Sequence, residues 1–460
     1  MITVKNLSYS YGRESIFVGT SFMVPDNAKV GLVGINGSGK STLFKLISGI
    51  EEPDGGLIET TGTMLSIPQE VKHDEEMERA KSVRFYLDPK NIKEDYELLR
   101  ILSKMELGFV DLDGQPQNMS GGQKTKLAIS RALIQQPDIL LLDEPTNFLD
   151  IAGKEWVMEF LGKYPKTVIV VSHDLALLDN KIDKILEINQ QKHCIDEYAG
   201  NYSDYTKLKE EKDALLIRQI HVQERHIVQM KKGYLKISHF RSKKGARRKI
   251  QLKRRIEKAE ESLPDMPLFA KKIKINLPDP APVGSMPIRA EGVCKSWGKN
   301  KVLGGVDFNI LRGERIALMG VNGTGKSTLI KILLGSVKAD AGSIDRDRNL
   351  DIGYYCQEFE TFDFDKTLMD TVKDVCKLPE ERIRPILGRF LFSGDIVFQR
   401  VKTLSGGEKT RLSIAVLLAQ NHNLLVLDEP TTYLDVLSQR LILEAIQRSH
   451  DSGIAHAGVY

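Results

Sequence analysis

Two glycine-rich stretches of the chain combine residue types that suit phosphate binding. Residues 34–42 read GINGSGKST and residues 320–328 read GVNGTGKST, so both fit the pattern GxxxxGK[ST]. Glycines let backbone N–H groups converge on phosphate oxygens, the lysine reaches the β- and γ-phosphates, and the next hydroxyl ligates Mg²⁺. The pattern predicts two nucleotide-binding loops, made of Gly34, Asn36, Gly37, Ser38, Gly39, Lys40, Ser41, Thr42, Gly320, Asn322, Gly323, Thr324, Gly325, Lys326, Ser327 and Thr328.

An acidic pair follows each loop, about 100 residues further along the chain. Asp143 and Asp428 end apolar runs, and Glu144 and Glu429 come immediately after them. In enzymes with this kind of phosphate loop, an aspartate in that place helps to hold Mg²⁺. We therefore expect the aspartates and the loop serines near the metal ions. The glutamates are placed to polarise an attacking water and are the predicted catalytic residues.

These motifs recur at a nearly constant period, which indicates a duplicated domain. The phosphate loop returns after 286 residues and the acidic pair after 285. The predicted domains are residues 1–200 and 286–460, called here the first repeat and the second repeat, with a basic linker over residues 201–285 between them. The second repeat is expected to be incomplete towards its C-terminal end, because none of its segments matches the strand pattern of residues 167–171.

The elements that position these motifs follow a strand–loop–helix order. Apolar residues 30–33 precede the first loop and residues 43–47 follow it, and the second loop has the same flanks. Continuous apolar runs at residues 139–142 and 424–427 are typical of strands buried on both faces of a sheet. The pattern predicts an α/β fold with a largely parallel core in each repeat.

A third motif indicates the family that the sequence resembles. Residues 120–123 read SGGQ and lie 23 residues before Asp143, and residues 405–408 read SGGE and lie 23 before Asp428. With this order of motifs, the chain resembles the ATP-binding cassette (ABC) superfamily, in which the third motif is the signature. The signature residues are Ser120, Gly121, Gly122, Gln123, Ser405, Gly406, Gly407 and Glu408.

The resemblance implies two P-loop cassettes that pair head to tail within the chain. Each ATP, with Mg²⁺, would lie between the loop of one repeat and the signature of the other. Site one would combine Lys40, Asp143 and Glu144 with the second signature. Site two would combine the corresponding residues of the second repeat with the first signature.

The resemblance also assigns single residues to these sites. Gln69 and Gln357 match the family's Q-loop glutamine, which lies near the metal ion. Tyr11 and Trp297 match the aromatic residue that stacks on adenine, and His173 resembles the family's switch histidine. Because no such histidine is expected in the second repeat, site two is predicted to hydrolyse ATP poorly.

The linker indicates a branch of the superfamily. Two cassettes joined by a long basic helical linker resemble the ABC-F group, which acts on ribosomes. The spacing of apolar residues predicts two packed amphipathic helices of about 25 residues each, with Gly233 and Gly245 on either side of the turn. The expected seam consists of Leu208, Leu215, Ile220, Ile227, Leu252, Ile256, Ala259 and Leu263.

The end of this hairpin is strongly basic. Residues 231–258 include 13 Lys or Arg and a single acid, Glu257. Such a density of like charge repels itself unless a polyanion neutralises it, and Tyr234, His239 and Phe240 add rings that could stack on bases. We therefore expect contacts with ribosomal RNA or tRNA from Lys231, Lys232, Lys236, Arg241, Lys243, Lys244, Arg247, Arg248 and Lys249.

Composition narrows the class of protein. The chain of 460 residues is 41% hydrophobic and 28% charged, which is ordinary for a soluble globular protein. No apolar run approaches the length of a membrane-spanning helix, and the N-terminus does not look like a signal peptide. The four cysteines are widely spaced, which favours reduced thiols over a metal site. A cytoplasmic protein is expected.

Together these features predict an ATPase that resembles ABC-F translation factors and binds ribosomes through its linker when ATP is bound. Three alternatives share the same features. The first is an antibiotic-resistance protein that protects the ribosome. The second is a DNA-associated twin-cassette ATPase, and the third is a transport ATPase that serves membrane subunits.

Overall fold

A computed structural model describes most of the chain. The described residues are 1–12, 14–68, 75–105, 107–119, 121–146, 149, 151–237, 243–264, 282–320, 323–355, 362–376, 378–392, 394–420, 422–428, 434, 438–439 and 455–459.

The first repeat contains a large sheet and a small antiparallel sheet. Its strands are β1 (Ile2–Tyr11), β2 (Glu14–Val24), β3 (Lys29–Val33), β4 (Gly55–Thr60), β5 (Met64–Ile67), β6 (Ile139–Asp143), β7 (Thr167–Val171), β8 (Lys184–Asn189) and β9 (Cys194–Ala199). Its helices are α1 (Lys40–Ile47), α2 (Glu75–Arg79), α3 (Val83–Leu87), α4 (Asp95–Lys104), α5 (Gly121–Gln135), α6 (Ile151–Lys163) and α7 (Leu175–Asn180). The large sheet has the order β5-β6-β7-β3-β8-β9, and the small sheet has the order β2-β1-β4.

The topology of the large sheet brings the predicted site residues to one edge. Strands β3, β6 and β7 are parallel neighbours, so their carboxyl ends lie side by side. The phosphate loop follows β3, Asp143 ends β6 opposite Val171 of β7, and His173 comes two residues later. In parallel sheets ligands bind outside this edge. Every residue of β6 and β7 is buried, which confirms the prediction of strands covered on both faces.

Hydrophobic side chains cover the large sheet on both faces. On one face, Leu140, Leu142 and Val168 pack with α3, α4 and α5. On the other face, Ile139 and Leu141 pack with α1 and the small sheet. The phosphate loop and the acidic pair therefore stand on a framework that is fixed from two sides.

The linker forms two helices of unequal length, α8 (Tyr202–Ile237) and α9 (Lys243–Glu261). The expectation of two helices of about 25 residues each is wrong, since α8 has 36 residues and α9 has 19. Because α8 ends at Ile237 and α9 begins at Lys243, Gly233 and Gly245 lie on either side of the interval between the helices, as predicted. Gly233 faces α9. A Cβ at this position would lie 4.0 Å from a Leu252 methyl carbon, an ordinary contact distance, so the packing of the two helices does not require glycine here.

The predicted seam between these helices is only partly right. Ile220, Ile227 and Ile256 are buried, but Leu208 and Leu215 are 45% and 58% exposed. The reason is geometric, since the step of five residues from 215 to 220 turns the helix by about 500° and so leaves the two positions on different faces. Although α8 has 36 residues, neither it nor any other helix of the described chain is apolar enough to cross a membrane.

The second repeat follows the plan of the first. Its strands are β10 (Ile288–Trp297), β11 (Asn300–Ile310), β12 (Arg315–Leu318), β13 (Ala341–Arg346), β14 (Ile352–Tyr355), β15 (Leu424–Asp428) and β16 (Ala455–Val459). Its helices are α10 (Lys326–Leu334), α11 (Leu368–Cys376), α12 (Glu380–Arg389) and α13 (Gly406–Leu418). The described strands form a small sheet, β11-β10-β13, and a parallel sheet, β12-β16-β15-β14.

Strand β16 corrects the sequence prediction for this repeat. No counterpart of residues 167–171 was expected, yet β16 lies between β12 and β15, the position that β7 occupies between β3 and β6. Residues 455–459 read AHAGV and lack the β-branched run of β7. Their propensity to form a strand is therefore weak. They form one because they pair with β12 on one side and β15 on the other.

Candidate functional site

The first phosphate loop is shaped by glycines that no other residue could replace without strain. Gly39 caps α1 with φ 99°, and a Cβ there would lie 2.5 Å from a methyl carbon of Ile16. At the other end of the loop, a Cβ on Gly34 would lie 2.6 Å from the Ser38 hydroxyl oxygen. The backbone therefore forms a narrow concave turn at the N-terminus of a helix, which is the geometry that binds phosphate.

The polar groups of this loop also suit a triphosphate. The Lys40 ammonium group donates to the carbonyl oxygens of Gly34 at 2.9 Å and Ile35 at 3.1 Å. The buried hydroxyl of Ser38 has no hydrogen-bond partner among the described residues. A phosphate in the turn would give both side chains oxygen acceptors, so the loop fits ATP.

A serine and an aspartate meet where the metal ion was predicted. The Ser41 hydroxyl donates to the Asp143 carboxylate at 2.9 Å. Burial raises the pKa of Asp143, while the hydroxyl of Ser41 and the charge of Lys40 lower it. A bound Mg²⁺ takes one or two carboxylates and completes its octahedron with phosphate oxygens and waters. The pair of oxygen donors beside the phosphate turn fits this cation.

Glu144 and His173 form a close pair next to that aspartate. The His173 Nε2 lies 3.1 Å from one Glu144 carboxylate oxygen, and the His173 backbone N–H donates to the other at 3.2 Å. Glu144 is only 4% exposed and adopts φ 52°. Burial is the main cause that raises the pKa of Glu144 to about 8, and it acts together with the charge of Asp143 against the His173 N–H and Lys40. Strongly shifted carboxyl groups of this kind occur at catalytic sites.

A cavity of about 390 Å³ joins these residues to the second signature. Its lining comes from both repeats and consists of Ile16, Asn36, Gly37, Gly39, Lys40, Ser41, Thr42, Asp143, Glu144, Val171, His173, Ser405, Gly406 and Gly407. The residues that the family resemblance assigned to site one thus surround one space. The N-terminus of α13 faces this space, and its N–H groups and dipole favour an anion there.

The second signature is held by a capping box that the sequence analysis missed. The Ser405 hydroxyl donates to the Glu408 carboxylate at 2.8 Å, and the Ser405 backbone N–H donates to the same oxygen at 2.9 Å. The Glu408 N–H in turn donates to the serine hydroxyl at 3.4 Å. Ser-x-x-Glu before a helix is the sequence signal of this motif, so it could have been found. The first signature has Gln123 in place of the glutamate.

The second phosphate loop repeats the geometry of the first. Gly325 caps α10 with φ 97°, and a Cβ there would lie 2.5 Å from a methyl carbon of Val302. The Lys326 ammonium group donates to the Gly320 carbonyl at 2.6 Å. Ser327 follows it on α10, and Asp428 ends β15 as Asp143 ends β6.

The two aromatic residues predicted to stack on adenine lie at the surface. Tyr11 is 71% exposed and Trp297 is 53% exposed, so a face of each ring can meet a ligand. The Trp297 indole N–H donates to the Thr328 hydroxyl at 3.5 Å, which holds the ring against the second phosphate loop. Tyr11 does not line the cavity of site one, and its role remains a prediction.

Several predicted residues lie outside the described part of the chain. They are Gln69, Ser120, Asn322, Gln357, Glu429, His239, Phe240 and Arg241. The surroundings of Gly121, Gly122, Lys236, Lys243, Lys244, Arg247 and Arg248 are not described, although their backbone belongs to α5, α8 or α9. Of the predicted RNA contacts, Lys231 and Lys232 are exposed, and the Lys249 ammonium group lies 5.5 Å from the centre of the Tyr234 ring.

Comparison with known proteins agrees with this fold and these motifs. The family described as ABC transporter matches residues 17–147 and 303–432. The chain is 33% identical to the putative ATP-binding protein YdiF of Bacillus subtilis, over 97% of the chain and 76% of that relative. It is 31% identical to ABC transporter F family member 2 of Arabidopsis thaliana, over 97% of the chain and 72% of that relative.

Solved structures show the same twin-cassette fold. A structure of RNase-L Inhibitor has a TM-score of 0.68 at 23% identity, covering 99% of this chain and 84% of its own. An archaeal ribosome recycling factor, solved with an archaeal ribosomal stalk protein, has a TM-score of 0.67 at 23% identity with the same coverage. Together with the family match and the relatives, the paired motifs lead to one conclusion: the chain belongs to the ABC transporter family and, within it, to the ABC-F group.

Proposed function

We propose that this chain is an ATP-hydrolysing ABC-F-type translation factor that binds the ribosome through its linker when ATP is bound. The observation that carries the proposal is the cavity in which the phosphate loop, Asp143 and Glu144 of the first repeat meet Ser405–Gly407 of the second. A nucleotide bound there would touch both repeats and would stabilise their pairing. Its hydrolysis would remove one of the two contacts and release them.

The residues of site one divide the work of hydrolysis. The phosphate loop and Lys40 would hold the β- and γ-phosphates, and the second signature would approach the γ-phosphate from the other side. Mg²⁺, held by Ser41 and Asp143, would neutralise charge on the phosphate oxygens. Glu144 would orient and polarise the attacking water, and His173 fixes the carboxylate of Glu144 by two contacts.

Burial makes Glu144 a poor base before nucleotide binds. With its pKa raised to about 8, the carboxyl group is mainly protonated at neutral pH in the nucleotide-free chain. A base must lose this proton before it can accept one from water. Binding of the cation and closure of the site would favour the charged form, so hydrolysis would be tied to a complete site.

Site two would use Lys326, Asp428 and Glu429 with the first signature. Its loop and lysine have the geometry of site one. We infer that it binds ATP as site one does. Separate changes of Glu144 and Glu429 would compare the rates at which the two sites hydrolyse ATP. Two sites of unequal rate would let one nucleotide hold the repeats together while the other is turned over.

The linker supplies the proposed contact with RNA. At the basic end of the linker, residues 231–258, the ion pairs among the described residues are Lys231 with Glu260 at 2.5 Å and Lys253 with Glu257 at 3.4 Å. Both pairs are exposed, so they offset little of the repulsion. Contact with phosphates would offset much more, and it would depend strongly on salt. The archaeal ribosome recycling factor has the same fold, so this fold is compatible with a ribosomal role.

Co-sedimentation with ribosomes tests this proposal. The Glu144→Gln, Glu429→Gln double variant should bind ATP without turning it over, and we expect it to pellet with ribosomes in ATP but not in ADP. Pelleting should weaken steeply between about 50 and 200 mM salt, because phosphate contacts release counterions. A matched variant with Lys231 and Lys232 changed to Gln should bind ATP normally and pellet less.

Two results would contradict the proposal. Pelleting that is equal in ATP and ADP would remove the link to the nucleotide. Competition by duplex DNA at the same charge concentration as the ribosomes would favour a DNA-associated ATPase instead. Protection of translation from a ribosome-targeting antibiotic by the unmutated chain would assign the same chemistry to drug resistance.

A further inference from the structure

Helix α7 joins the catalytic edge of the first repeat to the start of the linker. It begins directly after His173 and Asp174, and its six residues span about 9 Å. The Asp174 carboxylate accepts the backbone N–H groups of Ala176 at 3.0 Å and Leu177 at 3.2 Å. The first turn of α7 is therefore fixed to the residue that follows the switch histidine.

The other end of α7 holds the first turn of α8. The Asp179 carboxylate accepts the backbone N–H of Ser203 at 2.7 Å, and the Asp179 carbonyl oxygen accepts the Asn201 side-chain amide at 3.1 Å. A helix leaves its first N–H groups without partners inside the helix, and a carboxylate there also favours the helix dipole. One of these groups in the linker helix is therefore capped by a residue of the catalytic domain.

Helix α7 has little room to move independently of the sheet. Leu177 and Leu178 are fully buried. A Cβ on Gly31 would lie 3.0 Å from a Leu178 methyl carbon, so the helix sits directly on β3, the strand that leads into the phosphate loop. Further along α8, Lys209 pairs with the buried Glu187 of β8. A displacement at the catalytic end would thus reach the linker instead of being absorbed by loose packing.

We propose that Asp179 is a positioning residue that couples the state of site one to the orientation of the linker. The proposal rests on the proposed function, in that it assigns site one to ATP. When nucleotide draws the two repeats together at site one, β3, His173 and α7 move as one body, and Asp179 moves the first turn of α8 with them. By the same link, a linker held in place by RNA biases the position of His173.

Hydrogen exchange of the whole chain tests this coupling without ribosomes. The backbone amides of residues 203–207 are followed with and without Mg²⁺ and the nonhydrolysable analogue AMP-PNP. In the unmutated chain we expect the analogue to change their exchange at least about threefold. The Asp179→Ala variant should lose this response and keep the protection of the phosphate loop, and Asp179→Asn, which retains an acceptor, should restore most of it.

The matched control is Asp204→Ala. Asp204 also caps the start of α8, since its carboxylate accepts the Asn201 backbone N–H at 3.4 Å, but it belongs to α8 itself. This variant should raise the exchange of the same amides and keep their response to the analogue. The coupling is wrong if both variants keep the response, if both lose it, or if the unmutated chain that binds the analogue shows none. An unmutated chain that shows the response but does not pellet with ribosomes would overturn the proposed function and leave the coupling intact.

Discussion

The two phosphate loops have the same local geometry, although the strands that precede them, β3 and β12, are buried to very different extents. Gly39 and Gly325 have φ angles of 99° and 97°, and each loop lysine donates to the carbonyl of the first glycine. Yet β3 lies buried between β7 and β8, whereas β12 is half-exposed or exposed at every residue and pairs with β16 alone among the described strands. The comparison teaches that the local sequence sets the shape of the loop, regardless of how deeply its strand is buried.

The residues proposed to be catalytic depend on more distant parts of the chain. In site one, Glu144 needs β7 beside it, because its backbone N–H donates to the Val171 carbonyl at 2.9 Å and His173 lies two residues after the end of this strand. The second repeat supplies β16 in the corresponding place, but Glu429 lies outside the described residues. We expect the two sites to be alike in binding phosphate, because the two loops have the same geometry. Slower hydrolysis at site two stays a prediction from the sequence.

The largest expected effect comes from replacing the glutamate of each site, which compares how fast the two sites hydrolyse ATP. Glu144→Gln should lower ATP turnover at least about 100-fold, because a positioned base contributes about 10²–10⁴-fold. Glu429→Gln should lower it less than about threefold if site two contributes little to turnover. Steady-state phosphate release measures both, with nucleotide binding as the control. Equal losses would show that the sites hydrolyse ATP equally.

A smaller test concerns the similarity of the loops. Gly39→Ala and Gly325→Ala should each destabilise the fold or weaken nucleotide binding by about 1–3 kcal/mol. Both changes force a side chain into a left-handed backbone conformation and into a close contact. Gly37→Ala is the control for conformation alone, since nothing lies within 4 Å of its added Cβ. Thermal unfolding and nucleotide titration would measure these effects. A large effect at only one capping glycine would contradict the view that local sequence sets both loops.

A third test uses the raised pKa of Glu144 in the chain without nucleotide or metal. Because its pKa is about 8 when folded, against an ordinary value of 4.5, the folded chain binds the extra proton between these values. This contribution to stability is complete below pH 4.5 and is lost as the pH rises through 8. Glu144→Gln should therefore flatten the fall in stability between pH 5 and pH 8, as measured by urea unfolding in EDTA. An unchanged slope would mean that the carboxyl group ionises normally.

The smallest expected effect concerns the signatures. Exchanging Glu408 for Gln removes a carboxylate beside Ser405, the residue proposed to face the γ-phosphate of site one, and weakens the capping box of that serine. Because the two changes oppose each other, we expect ATP affinity at site one to rise only about twofold to fivefold, or by about 0.4–1 kcal/mol. Fluorescent-nucleotide titration would measure it, with Gln123→Glu as the reciprocal change at site two. A fall in affinity would mean that the intact capping box matters more than the charge.

The sequence predicted those parts of the site that short motifs encode. The phosphate loops, the acidic residues after β6 and β15 and the signatures each consist of neighbouring residues whose chemistry is visible in a short stretch. His173 was found only through the family resemblance, because no spacing rule places residue 173 within 3.1 Å of residue 144. Its position follows from the pairing of β6 with β7, which is a property of the folded sheet.

Other features could not be predicted because they depend on contacts between distant segments. Strand β16 has a weak strand pattern and exists through its two neighbours. Leu208 and Leu215 looked like members of a helix seam, but the first turns of α8 pack against the first repeat through Tyr205, which leaves those leucines outside. The link from Asp179 to Ser203 joins two helices, and neither helix alone signals it.

The unequal lengths of α8 and α9 have a mechanical consequence. The start of α8 is clamped to the first repeat as far as Lys212, whose ammonium group donates to Asp196 at 3.0 Å. The remaining stretch to Ile237, about 25 residues, is a lever arm of roughly 38 Å. A tilt of about 10° at the clamp would swing the basic tip by roughly 7 Å. A movement at the clamp no larger than a side-chain rearrangement would thus displace the basic tip by about the distance between neighbouring phosphate groups.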